Sequence, residues 1–65
     1  MDEFIRYHKT IDKVNEAIAC LDKAYYTLIG LKKQGLASDI HREMSRLKVI
    51  NQSIKDEADK DGSAN

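Results

Sequence analysis

Sixty-five residues with 42% hydrophobic side chains, 11 basic residues balanced by 11 acidic ones, and a single cysteine make one domain at most. A chain of this size is too hydrophobic to be wholly disordered, yet too short of core to be comfortably stable without a staple or a partner. The lone Cys20 excludes an internal disulfide and points to a reducing, cytoplasmic setting, and the longest apolar run, residues 28–31, falls far short of the roughly 20 residues of a membrane span.

The chain opens on MDEFIRYHKT, with acids at its second and third positions and no continuous apolar stretch, so no signal or transit peptide is expected. From there Phe4, Tyr7, Ile11, Val14, Ile18, Leu21, Tyr25 and Leu28 recur at alternating steps of three and four, the seam of a coiled-coil-like helix. Asp2 and Glu3 suit the positive end of its dipole. The absence of proline leaves little to break it before Lys32 interrupts the phase, and the spacing predicts a first helix over about 3–34. Thr10, Ala17, Ala24 and Leu31 form a further stripe beside the seam, wide enough to touch a second neighbour, with the alanines permitting close approach.

The stretch LKKQGLASDIH reads as a stop, a loop and a start. Lys32 and Lys33 complement the negative end of the first helix, and Gly35 supplies the left-handed residue of a Schellman closure. Leu36 folds back on Leu31, and Ser38 caps the next helix with Asp39 just inside it. The turn is thus expected at 35–38 and the second helix over about 39–58. Its apolar face comprises Ile40, Met44, Leu47, Ile50 or Asn51, Ile54 and Ala58, with helical phase alone not deciding between Ile50 and a register-fixing Asn51. Residues 59–65 are polar and expected to form a disordered tail.

The expected fold is all-α: a two-helix antiparallel hairpin, dimerising into a four-helix bundle. A hairpin folded about Leu36 pairs Leu28 with Met44, Tyr25 with Leu47, Leu21 with Ile50 and Asn51, Ile18 with Ile54, and Val14 with Ala58. That leaves Phe4, Ile5, Tyr7 and Ile11 on an overhang available to a second copy or a partner, together with Ala17, Ala24 and Leu31. Tyr26, Ile29 and Val49 lie off the main stripes and could form a second partner surface.

Chemistry is sparsely represented. His8 and His41 sit on different predicted helices without metal-ligand spacing, and Cys20 reads as a small, partly buried filler. No nucleophile elbow, phosphate-cradling loop or paired-carboxylate pattern is present, so neither enzymatic activity nor a cofactor or metal is expected. Arg42, Arg46 and Lys48 invite a nucleic-acid reading, but Asp39 and Glu43 interleave with them as in an ordinary solvated face. In size and layout the hairpin resembles Rop-type plasmid copy-number regulators and the small helical co-chaperones of type III secretion, without a shared residue motif. The functional expectation is a small non-enzymatic module, a regulator, inhibitor or co-chaperone, that docks a helical face on a larger protein and pairs with itself. The alternative is a dimeric bundle that binds RNA or DNA.

Overall fold

Two helices account for almost the whole chain. A computed structural model describes residues 2–63, with side chains from residue 3 to residue 60. Helix α1 spans Asp2–Gly30 and α2 spans Gln34–Ser63, packed against each other with no strand among the described residues. The radius of gyration, 15.1 Å, exceeds the roughly 11 Å of a compact 65-residue domain, as a single rod-like layer requires.

The turn lies earlier than expected. Lys32, not Gly35, takes the left-handed conformation, with φ of 61°. The Lys33 N–H donates to the Leu28 carbonyl at 2.9 Å and the Lys32 N–H to the Ile29 carbonyl at 3.0 Å, the two bonds of a Schellman closure. The Lys33 carbonyl accepts from the Ala37 N–H at 3.0 Å, so Lys33 caps α2 with its own backbone. Gly35, Ser38 and Asp39 therefore lie inside α2 rather than forming the loop, its cap and its first turn.

Packing explains why the chain accepts a lysine where glycine is favoured. With the turn at 31–33, the seam of α1 is Tyr7, Ile11, Val14, Ile18, Leu21, Tyr25 and Leu28, all half-buried. That of α2 is Ala37, Ile40, Met44, Leu47, Asn51, Ile54 and Ala58, buried or half-buried. Antiparallel pairing matches these one to one, each facing pair of residue numbers adding to 65. A turn centred at Leu36 would match only five levels. Two further levels outweigh a left-handed lysine, which costs about 1–2 kcal/mol, since each large apolar side chain covered contributes about 1.5–3 kcal/mol when burial is complete.

Three other expectations change with the register. The helices are 29 and 30 residues long, so α1 has no overhang, and Tyr7 and Ile11 belong to the chain's own seam. Helix α2 continues through Ser63, so 59–63 is helical rather than a disordered tail, and Ala64 and Asn65 lie outside the described residues. Cys20 is exposed, not a partly buried filler, because it sits on the outer face of α1.

Asn51, rather than Ile50, occupies the seam. Its amide nitrogen donates to the Asn15 Oδ1 at 2.9 Å and to the Ile11 carbonyl at 3.4 Å, across the two helices. Its own Oδ1 is buried without a partner.

Candidate functional site

The core is thin. Among the described residues only Ala37, Met44 and Ala58 are buried, and two of the three are alanines. Phe4, Ile5, Tyr26, Ile29, Leu31, Leu36, Val49 and Ile50 all remain between 41% and 66% exposed. What the hairpin offers is therefore surface, and the helical phase sorts that surface into two flanks.

On one flank stand residues that follow a seam position, Asn15 and Ile29 on α1 with Gln34, His41, Lys48 and Lys55 on α2. The Asn15–Asn51 hydrogen bond and the Tyr25–His41 ring contact, with centroids 5.8 Å apart, both lie on this side. Near the turn it is indented by an open depression lined by Tyr25, Ile29, Gln34, Ala37, Ser38 and His41. Tyr26 stands beside it, its ring edge-on to Tyr25 at 5.4 Å.

The opposite flank carries the residues that precede a seam position. These are Thr10, Ala17, Ala24 and Leu31 on α1, the stripe anticipated from spacing, and Leu36, Glu43, Ile50 and Glu57 on α2. Its turn end is apolar, with Leu31 63% and Leu36 56% exposed. The contribution of Leu36 and Ile50 escaped the sequence reading because one had been assigned to the loop and the other weighed as seam.

Other candidates fall apart in space. Val49 lies on the outer face of α2, well along from Tyr26 and Ile29, so these three do not make one surface. Phe4 and Ile5 are half-exposed at the far end, Phe4 packing on His8 with ring centroids at 4.4 Å. Arg42 donates to the Asp39 carboxylate at 3.1 Å, and Arg46 lies 3.8 Å from that of Glu43. Both pairs are solvent-exposed, and Lys48 projects roughly 200° around the helix from Arg46. These basic residues therefore form no single patch. His8 and His41 belong to opposite ends of the rod, and no group of three or more potential metal-ligating side chains occurs among the described residues. Among the described residues no helix is long and apolar enough to cross a membrane.

No protein-family model, curated protein or solved structure matches this chain.

Proposed function

We propose that the chain is a non-enzymatic helical interaction module that docks the turn-proximal flank of its hairpin on a partner protein. The observation that carries this reading is the contrast between three small or flexible buried residues and eight large apolar side chains left 41–66% exposed. Tyr26 and Ile29 are the anchors, set beside the depression at Tyr25, Ala37 and His41. Aromatic side chains make effective interface anchors because they bring large area at small entropic cost, and a shallow depression beside them can receive one apolar side chain of a partner helix. The mixed-sign surface around Arg42 and Arg46 gives no comparable support to nucleic-acid binding.

A photo-reactive side chain in place of Tyr26, introduced into the full chain in its native host, tests this. The expected result is a discrete protein adduct from position 26 that is lost in Ile29→Ser and absent when the probe replaces Lys9 on the outer face. Equal adducts from both positions would mean that Tyr26 marks no docking surface.

A further inference from the structure

The flank opposite the proposed docking site carries a second inference, which rests on reading the exposed apolar faces as interaction surfaces but concerns a different face. We infer that two copies of this chain pair through Thr10, Ala17, Ala24, Leu31, Leu36 and Ile50, with a two-fold axis parallel to the helices and both turns at the same end.

Area argues for a second copy as the occupant. The protein exposes 5261 Å², against about 4,200 Å² for a compact monomer of 7.4 kDa. A slab 51 Å long and 15 Å wide offers a face of about 770 Å². That is close to the roughly 800 Å² each partner contributes to a stable interface, and covering it removes most of the excess. A two-fold interface must also be self-complementary, presenting one patch to itself.

The distribution of residue sizes along the flank selects the axis. With the axis parallel to the helices, α1 of one copy lies over α2 of the partner in the hairpin's own register. Leu31 then meets the partner's Leu36 and the small Ala17 receives the partner's Ile50. Ala24 lies level with the partner's Glu43, which keeps its own Arg46 at 3.8 Å, and Thr10 with the partner's Glu57, near the rim charges of Arg6 and Lys13. The perpendicular axis lays each helix on its own reversed copy. It would set Leu31 against the partner's Glu3, and Leu36 against the partner's Glu57 and Lys60. The large apolar groups at the turn end would then be spent on charged side chains instead of on each other.

Pulsed electron–electron resonance on the full chain decides between these arrangements. The chain carries Cys20→Ser and a spin label at Lys33→Cys, and its mass is measured by light scattering on the same sample. The parallel axis predicts a two-chain mass and a label separation of about 20 Å, some two helix spacings. A two-chain mass with labels separated by about the 51 Å long axis would overturn the topology. A one-chain mass would overturn the pairing, while leaving the Tyr26 adduct test unaffected. Ile50→Lys, at an exposed position, is expected to weaken pairing at least tenfold with helicity retained, and unchanged pairing in that variant would overturn the assigned face.

Discussion

Lys32 holds the turn in a left-handed conformation that costs a lysine about 1–2 kcal/mol, offset in part by its charge near the negative end of α1. Lys32→Gly should therefore raise stability by about 0.5–1 kcal/mol, and Lys32→Val should lower it, because a β-branched residue is strained there. Urea unfolding followed by circular dichroism reads both. Neither Gly30 nor Gly35 has positive φ, and a Cβ added at either meets nothing within 4 Å. Alanine at each should stabilise by about 0.4–1 kcal/mol, and a loss at Gly35→Ala would place that glycine back in the turn. Asn51 carries the opposite balance, since its buried Oδ1 has no partner while its nitrogen ties α2 to Asn15 and Ile11. Asn51→Leu is expected to raise the free energy of unfolding by about 1 kcal/mol while broadening amide resonances, as the polar tie between the helices is lost. Left-handed Lys32 was not legible in the sequence, because the residue that ordinarily signals such a closure, Gly35, stands three positions later. The seam asparagine was legible only as one of two alternatives.

Most of each seam followed from spacing, since apolar side chains at steps of three and four favour one face. Ala37, assigned to the turn, and Asn51, undecided against Ile50, did not, and Phe4, placed in the seam by spacing, is half-exposed. Nor did the pairing of the two seams. Periodicity is unchanged when one helix slides along another, so the register depends on where the chain turns. Moving the turn from 35–38 to 31–33 brought Ala37 into the core and removed the apparent overhang of α1. Leu28 is thereby level with Ala37 rather than Met44, and Met44 is level with Leu21. Met44 is the most buried large side chain, at 7% exposure. Truncating it should cost about 2–3 kcal/mol, a large share of the stability of a small domain. Met44→Ala should therefore show a marked loss of helicity at 25 °C, whereas Val49→Ala, on the outer face, should stay near wild type. Equal effects of the two would contradict the buried face assigned to α2. The Lys13–Glu16 and Lys60–Glu57 pairs, like those of Arg42 and Arg46, are exposed i,i+3 contacts worth a few tenths of a kcal/mol each, so burial rather than charge decides this packing.

At the scale of the whole molecule, two helices in one layer leave each with one covered face, and the surface excess of about 1,000 Å² over a compact globule is the consequence. In the proposed reading the two flanks divide the resulting roles: Tyr26 and Ile29 beside the turn-proximal depression are assigned to a protein partner, and Leu31, Leu36 and Ile50 to a second copy. The small-residue stripe of α1 was visible in the sequence, but its mate on α2 was not, because assigning Leu36 and Ile50 to a flank requires the true register. If the second flank is covered by another copy, folding and association are one equilibrium, and stability depends on concentration. The most direct test is sedimentation equilibrium on the full chain combined with thermal unfolding over a hundredfold dilution. A two-chain mass with a melting temperature that falls on dilution is the predicted result; a one-chain mass at tens of micromolar with a melting temperature independent of dilution would contradict it.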